Sequence, residues 1–275
     1  MANYDILGDI AIVKFNDGTS KEEKIVRANE LMQQYKGVKT VLEKANKVSG
    51  RLRTIKTNFL IGENKKETIY VESGCKFKLN VETCYFSPRL SNERIEIAKL
   101  IAKLSAKSKI KKPKILVMFA GVAPFSIIIS KFFGDKSGKI VSVELGKECN
   151  KYAKENVLLN KVSNVEIVGG DVKRVIKKGG LSVKGNFVPL SFDFIIMARP
   201  NLKETFLREG LMVAKKNSII IYYGFSPESK QKEMLSELEK QAKQLGRKIK
   251  ITSCREAGDI APFEHRYRIE IKVLN

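Results

Sequence analysis

The stretch KILVMFAGVAPFSIIISKFF, residues 114–133, holds a strand, a turn and a helix in succession. KILVMF (114–119) is an apolar run of strand length, a glycine turn follows, and FSIIISKFF (125–133) has the apolar density of a buried helix. The alternation continues downstream. KIVSVE (139–144) reads as a second strand and KECNKYAKENVLLN (147–160) as the helix after it. NVEIVGGD (164–171), FDFIIMARP (192–200) and NSIIIYYGF (217–225) are strands three to five. Residues 226–246 are charged and helical, with Met234, Leu235 and Leu238 on one side. RKIKITSC (247–254) and EHRYRIEIKVL (264–274) are strands six and seven. Strands alternating with helices predict βαβ units, a parallel sheet and helices on both faces. The last two strands are joined by too short a link for a parallel crossover, so the final strand is expected to run antiparallel.

Residues upstream of this unit read differently. YDILGDIAIVKF (4–15) is a strand-turn-strand pattern about Gly8-Asp9, Ser20 to Tyr35 is helical, and 67–86 alternates as strands broken at Ser73-Gly74. The expected division is an α+β domain over 1–100, contributing catalytic and RNA-contacting residues, and an α/β domain over 101–275. Helix 91–107 joins them, with Ser91 as a candidate N-terminal cap. Seven strands with an antiparallel end describe the class I methyltransferase variant of the doubly wound, Rossmann-like α/β fold, an expectation from fold analogy.

Composition narrows the function. The chain has 275 residues, 43% hydrophobic, enough for a sizeable core. Apolar runs are frequent enough to exclude a disordered chain. None reaches the roughly 18–20 residues that span a bilayer, and MANYDILGDIAIVKF does not read as a signal peptide, so a cytoplasmic protein is expected. The four cysteines, Cys75, Cys84, Cys149 and Cys254, show no CxxC spacing and read as reduced thiols. His265 is the one histidine, which excludes a multi-histidine metal site, and no metal is expected. Acid–base work falls to Glu, Asp, Lys or Tyr. Lys and Arg total 52 against 30 Asp and Glu, a net charge of +22. That balance suggests a polyanion, nucleic acid before a membrane surface, with Lys-rich 107–114 and 240–250 as candidate phosphate contacts.

In an open α/β sheet the ligand crevice lies beyond the carboxyl ends of the strands. Phe119-Ala-Gly121-Val-Ala-Pro124 falls there, and the glycine lets a ligand approach the backbone. The turn lacks both GxGxxG and GxxxxGK[ST], which disfavours a dinucleotide or a nucleoside triphosphate. Glu144 ends the second strand, where an acid can accept from a ribose diol, and Asp171 follows the third, where it can accept from an adenine amino group. Either acid alone is also an ordinary solvated strand-end residue. Together with the glycine turn they point to S-adenosylmethionine.

Several stretches, taken together, resemble the archaeal tRNA (guanine-37) N1-methyltransferases, nearer the branch that also methylates the wyosine precursor 4-demethylwyosine. They are YDILGDIAIV (4–13), VSGRLRT (48–54), GENKKETIYVESG (62–74), YFSPRLSNER (85–94), MFAGVAPFSI (118–127), NVLLNKV (156–162), IMARP (196–200) and IYYGF (221–225). The further N-terminal domain of many members is expected to be missing. The resemblance implies Arg53 as catalytic arginine, Glu93 as general base, Arg94 as a cofactor contact and Tyr85 beside the target base. It implies Glu144 on the ribose, with Leu145, Asp171 and Val172 around the adenine. Phe119, Gly121 and Pro200 complete the cofactor set, and Ala198 belongs to the base pocket. Three positions depart from the family pattern: Val117 for an aspartate, Ala123 for a glycine and Ala198 for an asparagine. The wyosine branch also lacks that asparagine, so dual specificity is expected.

The chemistry suits these residue types. Guanine N1 must lose its proton before attacking a methyl sulfonium, and negative charge then moves onto O6. A carboxylate near N1–H is the natural base and a guanidinium beside O6 stabilises the developing charge. The partner implied is the anticodon stem-loop of tRNA, with position 37 unstacked into the pocket. No DNA or membrane partner is expected, and the protein is expected to be a monomer. Two alternatives stay open: an aminocarboxypropyl transferase of wyosine synthesis using the same cofactor, and a non-catalytic RNA-binding protein. On the residues alone Glu93 also reads as a first-turn helix acid, Arg53 as one basic residue among 52, and Tyr85 as a core aromatic.

Overall fold

A computed structural model describes residues 3–45, 50–134, 138–183, 185–199, 204–261 and 263–275. The chain opens with β1 (Asn3–Leu7), β2 (Ile10–Lys14), α1 (Lys21–Gln34), β3 (Thr40–Lys44) and β4 (Thr57–Gly62). These strands form a sheet in sequence order, β2 parallel to β3 because α1 returns the chain, the other pairs antiparallel. Ser20 starts α1 with a capping box: its side chain accepts from the Glu23 N–H while Glu23 reaches back to the Ser20 N–H. Gly8 turns the first hairpin at φ +56°, and a Cβ there would lie 2.2 Å from the Thr68 hydroxyl. Only glycine fits this approach, which lets Thr68 donate to Asp9 over 2.7 Å.

A second hairpin, β5 (Glu67–Glu72) and β6 (Cys75–Asn80), turns at Ser73-Gly74 as expected, both residues at positive φ. α2 (Ser91–Lys107) leads into the rear unit. Ser91 does not cap it: a 3-10 turn, Pro88–Leu90, precedes the helix, Ser91 is its first residue, and no side chain caps it.

The rear unit runs β7 (Ile115–Met118), α3 (Pro124–Phe133), β8 (Ile140–Glu144), α4 (Lys147–Leu159), β9 (Val165–Gly169), α5 (Val172–Val175), β10 (Ile176–Lys177), β11 (Gly180–Val183), β12 (Asn186–Pro189), β13 (Phe192–Met197), α6 (Leu207–Val213), β14 (Ala214–Ser226), α7 (Gln231–Gln244), β15 (Ile249–Ala261) and β16 (Glu264–Val273). The main sheet has seven strands in the order β15-β16-β14-β13-β7-β8-β9. β16 is antiparallel to both its neighbours and the pairs from β14 to β9 are parallel, the class I methyltransferase arrangement. All four residues of β7 are buried, as a central strand covered on both faces requires. The small antiparallel sheet β10–β12 and helix α6 have no counterpart in the sequence reading.

Two asparagines join the front hairpin to this unit. Asn156 accepts from the Lys78 N–H (2.7 Å) and donates to the Lys78 carbonyl (3.0 Å). Asn160 does the same for Lys76, at 2.8 and 2.6 Å. Four helical residues rise about 6 Å, close to the spacing of alternate strand residues. The two carboxamides of α4 therefore pair with β6 as a neighbouring strand would, and they cover that edge. Phe77, Leu79, Val122, Ile127 and Tyr152 share one buried cluster, so packing groups the 67–80 hairpin with the rear unit.

Candidate functional site

The crevice lies beyond the carboxyl ends of β7, β8, β13 and β14 and is closed in front by residues 51–53 and Tyr85. Its first half is built on the β7–α3 turn. Phe119, Gly121 and Ala123 all have positive φ there, at +62°, +55° and +67°. The Gly121 N–H donates to Glu144 Oε2 (2.8 Å), and the Gly146 N–H to Oε1 (2.7 Å). One carboxylate thus ties the two loops that frame the crevice. Burial pushes the Glu144 carboxyl above the ordinary range, and the N–H donors of Gly146, Gly121 and Leu145 offset only part of that.

Asp171 caps α5 through the Lys173 N–H (3.0 Å) and accepts from Arg51 (2.9 Å). Burial would raise its carboxyl, but the Lys173 N–H and the Arg51 guanidinium outweigh burial and hold it below the usual carboxylate range. Phe119 meets Phe206 edge to face, their centroids 5.0 Å apart. Leu145 and Val172 line the same half.

The second half is basic and aromatic. Arg53 lies over Tyr85, its guanidinium carbon 4.3 Å from the ring centroid, with the backbone held at φ +55°. Its Nε is buried and has no hydrogen-bond partner. A buried donor without an acceptor is costly, and an incoming oxygen would satisfy it. Ala198, Arg199, Tyr223, Phe225 and Arg266 complete this wall. The Arg199 Nε donates to the Tyr222 hydroxyl (2.9 Å).

Glu93 and Arg94 are not among the lining residues. Glu93 lies one layer back. Tyr223, which does line the crevice, donates its hydroxyl to Glu93 Oε2 (3.0 Å), Arg268 approaches the same oxygen at 3.4 Å, and Arg255 donates to Oε1. Burial and the Glu93 charge push the Tyr223 phenol well above its ordinary value, so it stays a donor. Arg94 points the other way and pairs with Glu72, both side chains 2% exposed. A second bond to Glu72 (2.6 Å) and one to the Ser87 carbonyl (3.0 Å) come from one terminal nitrogen of the guanidinium. In this conformation Arg94 fastens the hairpin to α2 and does not reach the cofactor half. Pro200 lies outside the described residues.

Residues 68–251 match the TRM5/TYW2 methyltransferase domain and residues 1–65 the TYW2 N-terminal domain.

The chain belongs to the TRM5/TYW2 methyltransferase family.

It is 32% identical to a tRNA (guanine(37)-N(1))-methyltransferase, Trm5b, of Pyrococcus abyssi, over 98% of this chain and 74% of that one. It is also 32% identical to the tRNA (guanine(37)-N(1))/4-demethylwyosine(37)-methyltransferase Taw22 of Nanoarchaeum equitans, over 99% and 100%. The crystal structure of Trm5b from Pyrococcus abyssi superposes with a TM-score of 0.80 at 30% identity, covering 99% of this chain and 75% of that chain.

Two of the three positions expected to depart from the family pattern have local explanations here. Val117 is fully buried in an apolar cluster with Ile101, Ile129, Phe194 and Ile196, so no polar group there lacks a partner. Ala123 takes the left-handed conformation that glycine adopts freely, a cost of about 1–2 kcal/mol. Sequence reading missed Arg51, Phe206, Tyr223, Phe225 and Arg266 as wall residues. Arg51 lies in VSGRLRT and Tyr223 and Phe225 lie in IYYGF, stretches already singled out, whereas Phe206 and Arg266 come from distant elements and carry no local signal. Cys75, Cys84 and Cys149 are buried free thiols and Cys254 is partly exposed. Among the described residues no group of three or more His, Cys, Asp or Glu could hold a metal, and no helix is long and apolar enough to cross a membrane.

Proposed function

We propose that this protein is an S-adenosylmethionine-dependent tRNA methyltransferase acting at position 37, on guanosine N1 and on C7 of 4-demethylwyosine. The observation that carries this reading is Arg53: a guanidinium over the Tyr85 ring, with a buried, unpartnered Nε, at the mouth of the crevice. The cofactor supplies an electrophilic methyl sulfonium. Glu144 accepts from the ribose hydroxyls, Asp171 from the adenine amino group, and Gly121 admits the ligand against the backbone. These residues fit a nucleoside: two acceptors already oriented by backbone N–H groups, beside a turn without side-chain bulk.

Tyr85 and Phe225 offer faces to the base, and Arg53 stabilises the charge that moves onto O6. Glu93 takes the N1 proton. The Tyr223 hydroxyl, which already donates to Glu93, is the short route from the crevice to that carboxylate. An empty site can hold a catalytic base away from its working contacts, so the Arg255 and Arg268 pairs have to loosen as substrate enters. Ala198 contributes no amide to the base, which leaves room for a tricyclic ring. Residues 1–100 act as the catalytic and RNA-contacting module and 101–275 as the cofactor module. The reading includes a cytoplasmic monomer, with the anticodon stem-loop rather than DNA as the polyanion that the +22 charge serves.

The test is nucleoside mass spectrometry of position 37 after incubation with unmodified tRNA and with tRNA carrying 4-demethylwyosine. One added methyl on each is expected. A gain of an aminocarboxypropyl group, or no change with no heat of cofactor binding by calorimetry, would overturn the reading.

A further inference from the structure

The basic half of the crevice holds more positive charge than the reaction needs. Arg266 projects from β16 opposite Phe225, beyond the end of the parallel strands, and lines the crevice half-buried. Its guanidinium lies over the Phe225 ring, 5.8 Å from carbon to centroid. Among the described residues no carboxylate lies within ion-pair distance of it, in contrast to Arg255 and Arg268 on the same two strands. Burial lowers its proton affinity and the nearby Arg53 charge adds to that, while Tyr85, Tyr223 and Glu93 offset only part of it. Two guanidiniums therefore share one partly desolvated pocket, and Arg53 Nε has no acceptor. Keeping like charges there is unfavourable until an anion arrives.

The anion belongs to the substrate side. Glu144 and Asp171, which suit the cofactor nucleoside, stand at the end of β8 and just after β9, at the far end of the sheet from β16. Between them and Arg266 lie Ala198 and the aromatic faces suited to a base. A base stacked there brings its own backbone phosphate with it, and a planar guanidinium matches phosphate oxygens in a bidentate fork.

We propose that Arg266 holds the phosphodiester adjoining the nucleotide turned into the crevice, so that the base is positioned by its backbone as well as by its ring. This rests on the position-37 reading above. It makes Arg266 a substrate-positioning residue, separate from the charge stabilisation assigned to Arg53.

The experiment uses an anticodon stem-loop RNA with single methylphosphonate linkages on either side of position 37, bound and methylated by the wild-type protein, Arg266→Gln and Arg266→Lys. Arg266→Gln is expected to weaken RNA binding about ten- to hundredfold. Cofactor affinity by calorimetry should stay unchanged, which also verifies folding. The slope of log K against log salt should fall by about one. One of the two methylphosphonates should weaken wild-type binding yet cost Arg266→Gln nothing further, and Arg266→Lys should recover part of the loss. If Arg266→Gln instead loses cofactor affinity and keeps the salt slope, the anion is the cofactor's carboxylate and the proposal fails. If both linkages cost the variant as much as the wild type, it also fails. A wild-type protein that methylates the loop while Arg266→Gln is indifferent defeats this inference alone. A wild-type protein that neither binds nor methylates it defeats the position-37 reading as well.

Discussion

The two halves of the crevice differ in hydrogen-bonding character. On the β8–β9 side the strand ends supply acceptors, Glu144 and Asp171, each fixed by backbone N–H donors, with Arg51 paired to Asp171. On the β13–β16 side the charged groups are donors, Arg53, Arg199 and Arg266, interleaved with Tyr85, Tyr223 and Phe225. A ribose and an adenine amino group present donors, whereas a guanine O6 and a phosphate present acceptors. On the proposed reading, the contrast lets one pocket orient two nucleosides without exchanging them. The acid that could act as base is kept behind the donor wall, on Tyr223, out of ion-pair distance of the arginines that line the crevice.

The comparison can be broken by moving each half's chemistry. The largest effect is expected for Glu93→Gln, which should slow methylation of guanosine-37 by about 10²–10⁴-fold with RNA affinity retained. Single-turnover kinetics would show it, and lost affinity at intact turnover would remove Glu93 from proton transfer. Next comes Arg53→Gln, with turnover down by about 10²–10³-fold and an unchanged cofactor dissociation constant. A fall in cofactor affinity would place Arg53 in the wrong half.

Glu144→Ala leaves the Gly121 and Gly146 N–H groups without their acceptor, about 1–3 kcal/mol, and should weaken cofactor binding at least tenfold by calorimetry. The same group sharpens the comparison through pH. Its carboxyl is raised by burial, so its contribution to folding is full below the ordinary glutamate range and is lost as pH rises through the raised midpoint. Cofactor binding has the opposite sign, because ribose hydroxyls prefer the ionised acceptor. Affinity should climb with pH through that midpoint, and Glu144→Gln should flatten the profile.

Asp171 is lowered instead, so it stabilises above the ordinary aspartate range and loses that contribution as pH falls through its folded value. Asp171→Ala should cost about 1 kcal/mol at neutral pH, with the gap to wild type closing in acid, as read by denaturant unfolding. The smallest effect is expected at the turn beneath the cofactor half. Ala123→Gly relieves a left-handed alanine but adds freedom to the unfolded chain, for a net gain of up to about 1 kcal/mol. A loss of stability would mean that the alanine methyl packs better than its backbone strain costs.

Much of this was legible along the chain, and the exceptions share a cause. The seven strands, the turn at Gly121 and the acids at Glu144 and Asp171 follow from short-range pattern, because each is tied to the end of one element. Glu93 and Arg94 are neighbours on α2, and a helix turns about 100° per residue. One meets β14, β15 and β16 and the other meets Glu72 on the front hairpin. Their adjacency in the motif gives no sign of that divergence. Asn156 and Asn160 look like solvated helix polar residues until β6 is laid beside them. The β10–β12 sheet escaped because its strands are two to four residues long, with β12 exposed.

The sequence by itself determined the alternation of strands and helices, the antiparallel last strand and the excess of positive charge, since periodicity, link length and composition act locally or by simple sum. Only the tertiary structure decided which arginines face the crevice and which are consumed by carboxylates. That depends on what each guanidinium meets across the fold: Arg268 finds Glu93 and Glu270, while Arg266, two residues away, faces the crevice with no carboxylate within reach.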